Sequence, residues 1–413
     1  MLQVIRVGRL IDGTGAAPIE RAAIVVEDGR IREAGPASQV REPQGNEVQQ
    51  IDCSDYTVLP GLIDCHVHLV FSAQASALQD ILSEGNRRIL LRAVHNAQLA
   101  LRTGVTTVRD CGGRAGLTFE LRDAIDAGIL PGPRIFAAGP PITTTGGHCY
   151  FLEGEADTAD DLRRLARTLA KQGCDFYKVM STGGRMTPGS NVSAAQFSVD
   201  ELSSLVAEAR RLNRTVAAHG QGTAGIRNAV AAGVTTIEHC TWVSEEDSGQ
   251  VQYDPDVAAQ MARQGTFVNP TLSPGLVTAR LPESEMTPVR RETRAMRPKI
   301  NEAHRASIAA GVEIVAGTDA GVANVPLDSM PLELEGLHEE LGLVPLDVIK
   351  AATHTAARAC DREQEFGSIQ PGRRADLLVV DGDPSRDIRA IRRVRYVFRD
   401  GTLEVEDGRL VRS

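Results

Sequence analysis

The chain contains no Cys-x-x-Cys pair. Its seven cysteines (53, 65, 111, 149, 174, 240 and 360) are scattered and odd in number, which excludes a structural zinc ribbon and points to reduced thiols instead of a disulfide framework. Positive charge is not in excess either. The net charge of −9 is spread along the chain and not held in a tail, which removes nucleic acid as a partner and favours solubility. No apolar run approaches the length of a membrane span, and the opening stretch MLQVIRVGRLIDG alternates like a strand without the apolar core of a secretory signal. A cytoplasmic location with no membrane partner is expected. Aromatic residues make up only 4% of the chain against 39 glycines, a balance that suits many tight strand-to-helix connections. What remains is ordinary globular material, 42% hydrophobic and 24% charged, and 413 residues suit one large barrel with a smaller appended domain.

Both ends of the chain read as strands. Residues 2 to 12 and 22 to 34 alternate, with a hairpin turn expected at EDGR, 27 to 30, because Asp-Gly tolerates positive φ. Residues 375 to 381, 393 to 399 and 402 to 411 are strand candidates too, with Asp-Gly at 400 and 407. One small β domain assembled from both termini follows. Between them, β-rich stretches alternate with amphipathic helical ones, the pattern of parallel βα units. Eight strands are expected, at 62 to 69, 105 to 110, 134 to 140, 175 to 180, 215 to 220, 234 to 240, 266 to 271 and 313 to 319. Helical stretches follow most of them, as in SVDELSSLVAEARRLN at 198 to 213, where Ser198 and Glu201 form a capping box. Eight units in about 300 residues indicate a (β/α)8 barrel. A doubly wound sheet is disfavoured, since no early strand is followed by a Gly-rich phosphate loop.

Chemistry-bearing residues gather at the carboxyl ends of these strands, where barrel enzymes place their active sites. His66 and His68 end the first strand, His219 the fifth, His239 the sixth and Asp319 the eighth. Residues two apart on a strand face the same way, so His66 and His68 present two imidazoles to one ion. Lys178 is the outlier. It sits in the apolar run FYKVM of the fourth strand, where a bare ammonium is costly unless paired or neutralised. Six such side chains at matching ends of five strands point to a metal site. His95, His304, His338 and His354 fall in helical runs and are assigned no role, and Cys65 and Cys240 alternate away from the ligands to pack under the helices.

Five phrases carry a family resemblance: LPGLIDCHVHL at 59 to 69, YKVMSTGG at 177 to 184, AAHGQGTAGIRNAVAAGVTTIEHC at 217 to 240, AGTDAG at 316 to 321 and GSIQPGRRADLLVVDGDP at 367 to 384. They resemble the amidohydrolase superfamily, in particular its binuclear branch of Xaa-Pro dipeptidases and related metal-dependent carboxypeptidases, over nearly the whole chain. The resemblance implies a distorted (β/α)8 TIM barrel, residues 59 to 362, with a β-sandwich built from 1 to 58 and 363 to 413. It also implies that Lys178 is carboxylated by CO2 to N6-carboxylysine, whose carbamate oxygens bridge two divalent cations, zinc above all. One cation would take His66, His68 and Asp319, the other His219 and His239. A bridging hydroxide would then attack an amide carbonyl, with Asp319 as proton acceptor and donor.

His148, in the third-strand loop, aligns with a family histidine that contacts substrate, and Trp242 stands where relatives often carry a tyrosine. Arg185 and Arg114 are the cations expected to hold a substrate carboxylate. The expected reaction is amide cleavage in a dipeptide or N-acyl amino acid. Mononuclear relatives such as imidazolonepropionases usually lack the fourth-strand lysine and carry an acid soon after the fifth-strand histidine; here Lys178 is present and the fifth strand continues His219-Gly220-Gln221-Gly222. Hydrolysis of a cyclic amide, lactone or organophosphate at the same site, and an inactive binding scaffold, are the alternatives. By the same resemblance a homo-oligomer is expected.

Overall fold

The computed structural model describes residues 2–411. Its first strands are β1 (Leu2–Leu10), β2 (Ile19–Glu27), β3 (Arg30–Pro36) and β4 (Val48–Pro60). The middle contributes β5 (Leu62–Val67), β6 (Val105–Asp110), β7 (Arg134–Ala137), β8 (Tyr177–Met180), β9 (Val216–Gly222), β10 (Thr236–Val243) and β11 (Phe267–Asn269). Four strands follow: β12 (Leu377–Val380), β13 (Val394–Arg399), β14 (Thr402–Glu406) and β15 (Arg409–Leu410).

The terminal strands are hydrogen-bonded in one eight-stranded order, β15-β14-β13-β12-β4-β1-β2-β3. The cause is the 13-residue length of β4. It pairs with β1 along one edge, while Thr57–Pro60 pair with β12 along the other, so both ends of the chain join a single ladder. Its buried side holds Ile5, Ile24, Val58, Leu377, Val379 and Phe398. The hairpin expected at 27 to 30 is there, with Asp28 and Gly29 at φ of 48° and 77° between β2 and β3.

The middle strands are parallel and buried along their whole length, as apolar strands covered by helices on one face and by interior side chains on the other should be. They form two sheets, β5-β6-β7 and β11-β10-β9-β8, instead of one continuous ring. The third strand ends at Ala137, short of the expected residue 140, because Gly139 turns to φ 72° and Pro140 and Pro141 cannot donate to a ladder. Across that gap Ile142 rejoins, its N–H donating to the Lys178 carbonyl and its carbonyl accepting from Met180 N–H, both at 2.8 Å, and Asp175 N–H donates to the Ala137 carbonyl at 2.9 Å. The eighth stretch, 313 to 319, makes only the isolated bridge of Ile314 to Val268, with a second, Ala320 to Val67, just past its end. Its end leaves the extended conformation at Asp319, φ 54°, whose N–H still donates to the His66 carbonyl at 2.7 Å.

Gly61 joins the two parts of the fold between β4 and β5. A Cβ there would lie 2.2 Å from Thr106 Oγ1, so only glycine allows the strands this close. Outside the strands run amphipathic helices, among them Ala159–Gln172 and Val199–Arg211; the second starts with the expected box, in which Ser198 N–H donates to Glu201 Oε2 at 2.8 Å. The long helix Pro288–Ala309 covers the carboxyl ends of the strands. Among the described residues all seven cysteines are free and buried, and no helix is long and apolar enough to cross a membrane.

Candidate active site

His66, His68, His219, His239 and Asp319 converge on the floor of a cavity of 470 Å³ at the carboxyl ends of the strands, and Lys178 lines the same floor. His66 Nε2 and His68 Nε2 lie 3.5 Å and 3.4 Å from Asp319 Oδ1. The His66 and His239 ring centres are 5.1 Å apart, and those of His219 and His239 4.6 Å. The outer nitrogen of each ring is already engaged. His66 Nδ1 meets Glu238 Oε2 at 2.9 Å, His68 Nδ1 the Gly112 carbonyl at 3.3 Å, His219 Nε2 the Gly183 carbonyl at 3.1 Å, and His239 Nδ1 Thr271 Oγ1 at 2.7 Å. The other nitrogen of each ring makes no bond to the surrounding scaffold and is left for the centre of the cluster. Lys178 is only 1% exposed, and its Nζ has no hydrogen-bond partner at all.

Backbone geometry explains part of this convergence. His239, Thr271 and Asp319 sit in the left-handed region at φ of 68°, 46° and 54°, a conformation that is rare for side chains carrying a Cβ and rarest for a β-branched threonine. At His239 the turn breaks the alternation of β10, so that Glu238 and His239, neighbours in sequence, both reach the barrel interior. Gly184 makes room from the opposite wall: a Cβ there would lie 2.3 Å from His148 Nε2.

The electrostatics suit cation binding. Burial drives the His66 imidazole down to about 3, with nearby Lys178 adding to the shift, and burial takes His239 to about 4 and His219 well below its ordinary value. Near neutral pH these rings are therefore uncharged and carry a lone pair to donate. Burial alone would raise the Asp319 carboxyl, but the facing His66, His68 and His239 rings reverse this and hold it well below the usual carboxylate range. Asp319 is thus an anion facing the ring nitrogens of His66 and His68. His66, Cys111 and Glu238 also stand close together, but burial pushes the Cys111 thiol up to about 12, which keeps its proton in place.

His148 is in the cavity, with its ring centre 4.7 Å from that of His219. Burial takes its ring down to about 3, and Thr187 Oγ1, which accepts from Cys149 N–H at 2.8 Å, stands 3.0 Å from Nδ1. Arg185 also lines the cavity, bound loosely to Glu292 Oε1 at 3.4 Å. Two expectations are corrected. Trp242 lies in the hydrophobic core with its ring against Tyr253, while His239, Thr241 and Val243 line the cavity; Cys240 and Trp242 are left-handed themselves, at φ of 52° and 55°, and this irregular end of β10 sets the indole away from the site. Arg114 does not line the cavity; it is spent on the carbonyls of Ile81 and Glu84, each at 2.9 Å, and on Asn86 Oδ1 at 3.0 Å, at the junction of helices Ala77–Ser83 and Asn86–Arg102. The structure adds Glu238, Arg109 and Asn269, buried beneath the histidines, which no motif singled out.

Residues 57–403 match the model of the amidohydrolase family. The chain belongs to that family. The amidohydrolase is 29% identical to the ochratoxinase of Aspergillus niger over 97% of its own length and 86% of the relative's. An imidazolonepropionase of Mesorhizobium japonicum is 25% identical, with 91% and 90% of the two chains covered. Among solved structures, a Xaa-Pro dipeptidase with methionine bound in its active site superposes with a TM-score of 0.87 at 31% identity, covering 98% of this chain and 100% of that one. The crystal structure of the A. niger ochratoxinase gives 0.85 at 27% identity, with 97% and 95% covered. The amidohydrolase is thus a hydrolase acting on carbon–nitrogen bonds, and its cleavage is that of an amide.

Proposed function

We propose that this amidohydrolase holds two divalent cations, zinc foremost, and with them cleaves the amide bond of a dipeptide or an N-acyl amino acid. The observation that carries the proposal is Lys178. A buried amine without a partner, beside four imidazoles and a carboxylate, is costly as it stands and is relieved once CO2 converts it to a carbamate facing two cations. The donor set fits: neutral nitrogens and anionic oxygens suit zinc, and each ring nitrogen turned away from the centre is already hydrogen-bonded. His66, His68 and Asp319 would hold one cation, His219 and His239 the other, with the carboxylated Lys178 between them. Bound there, the pair supplies Lewis acidity to a water and to the scissile carbonyl.

The remaining steps belong to the chain. Asp319 takes the proton of the attacking water and delivers it to the departing nitrogen. His148, whose Nδ1 meets the Thr187 hydroxyl, donates from Nε2 to the carbonyl oxygen as it gains charge. Phe71, Met180, Met186, Leu272, Ile300 and Val322 offer apolar walls to the acyl portion, and Arg185, held only loosely by Glu292, receives the carboxylate. Residues 59–362 supply this machinery, and 2–58 with 363–411 form the accompanying β unit.

The test is reconstitution of chelator-treated protein with zinc, with and without bicarbonate, followed by a screen of N-acyl amino acids, dipeptides, lactones and organophosphates. Amide hydrolysis that needs both zinc and bicarbonate is expected. Turnover that survives chelation, or that is confined to lactones and phosphate esters, overturns the proposal.

A further inference from the structure

Beneath the histidines lies a fully buried polar network that no step of the reaction consumes. Glu238 is 0% exposed. Its Oε2 accepts from His66 Nδ1 and from Asn269 Nδ2, each at 2.9 Å, and its Oε1 accepts from Arg109 Nη2 and Thr236 Oγ1, each at 2.6 Å. Four donors from β5, β6, β10 and β11 therefore meet one carboxylate. Arg109 is equally committed: its Nε donates to the Cys65 carbonyl at 2.7 Å, its Nη1 to Thr236 Oγ1 at 3.2 Å, and its guanidinium lies 5.3 Å from the centre of the Phe176 ring. Burying such a pair costs several kcal/mol in desolvation, and apolar side chains of similar volume often serve stability as well or better. Stability alone does not account for it.

Of the four partners of Glu238, only His66 leads from the network into the cavity, where its Nε2 faces Asp319. A neutral imidazole has one proton to place. A carboxylate at Nδ1 can only accept, so the proton belongs on Nδ1 and the lone pair on Nε2, towards the cluster. The other rings have uncharged partners. His68 Nδ1 and His219 Nε2 meet backbone carbonyls at 3.3 Å and 3.1 Å, which also only accept but carry no charge, and His239 Nδ1 meets a hydroxyl, which can donate or accept.

We propose that Glu238, held in place by Arg109, is a positioning residue that fixes the tautomer and orientation of His66 and thereby strengthens only one of the two cation sites, the one formed with His68 and Asp319. Glu238 touches neither cation nor substrate. The inference rests on the two-cation proposal above, and the test separates the two.

Zinc binding to wild type, Glu238→Gln and the double variant Glu238→Gln with Arg109→Met is measured by titration in zinc buffers, alongside the unfolding temperature of each metal-free protein. Glutamine keeps the shape but offers one acceptor oxygen to four donors. In Glu238→Gln one of the two zinc steps should weaken about 10- to 100-fold, the usual loss when such an outer partner is removed, while the other step is unchanged. The double variant, which leaves no buried charge unpaired, should show the same selective loss with metal-free stability restored; it carries the comparison should the single variant fail to fold. Two zinc steps as in wild type, or both steps weakened in parallel with the unfolding temperature, would overturn the inference. Wild type that binds no zinc overturns the two-cation proposal itself, a different outcome from wild type and variant binding zinc alike.

Discussion

Methionine in place of Lys178 should make the metal-free protein more stable and at the same time unable to assemble its metal centre. The amine is 1% exposed and unpartnered, so the metal-free fold bears the penalty of an unsatisfied buried donor, about 1–3 kcal/mol and more when the group is charged. Methionine is unbranched and of similar length, so it fills the same space without the polar atom. For 413 residues, an unfolding entropy of about 2.1 cal/mol/K per residue sums to about 0.9 kcal/mol/K, so each kcal/mol moves the unfolding temperature by about 1 °C. The chelator-treated variant should therefore unfold about 1–3 °C above chelator-treated wild type. With zinc and bicarbonate the order reverses, because a ligand at a hundred times its dissociation constant adds about 2.7 kcal/mol to wild type and nothing comparable to the variant. Thermal unfolding followed by circular dichroism in the four conditions reads both signs. A metal-free variant that unfolds below wild type would refute the reasoning, since the amine would then have a stabilising partner, and an equal response to zinc in both proteins would remove Lys178 from the centre.

Replacement of His148 by alanine should lower kcat by about 10²–10³-fold, the usual loss of one donor to a developing oxyanion, with zinc content unchanged by elemental analysis. Arg185→Ala should raise KM for a carboxylate-bearing substrate and leave its amide counterpart unaffected; equal effects on both would show that the guanidinium does not meet the carboxylate. Trp242→Phe should leave KM and kcat at wild-type values and register only in urea denaturation, since the indole packs on Tyr253 outside the cavity. The Glu208 carboxyl is drawn down to about 2, chiefly by Arg211 and Arg167, which links helices Ala159–Gln172 and Val199–Arg211. Its folded value lies below its ordinary 4.5, so the stability it contributes is present above that pH and lost as pH falls towards 2. Denaturation of wild type and Glu208→Gln should accordingly differ at pH 7 and converge in acid.

The candidate ligands were legible because their signals are local. His-x-His on an apolar strand, a lysine inside FYKVM and an aspartate after AGT depend on side-chain alternation and on composition over a few residues. The Asp-Gly hairpin and the Ser198 capping box are equally local, and both formed where expected. Glu238 was hidden because alternation sets it opposite its neighbour His239, and only the left-handed φ of His239 brings both to the interior. Past residue 239 the left-handed Cys240 and Trp242 break the strand pattern, which is why local periodicity misplaced the indole. Arg114 offered no such clue, since its partners Ile81, Glu84 and Asn86 come from the junction of two helices distant in sequence.

By itself the amino-acid sequence determined most of the strands and helices, the residue types at their ends, and hence the class of chemistry, since these follow from hydrophobic periodicity and turn chemistry over short spans; the eighth strand, which makes only isolated bridges, was not among them. Tertiary structure alone decided that the terminal strands make one sheet, that the barrel strands are split by two seams, and that one carboxylate ties four of them together under His66. Those outcomes depend on close approaches between residues as far apart as His66 and Glu238, and no local propensity encodes a contact across that distance along the chain.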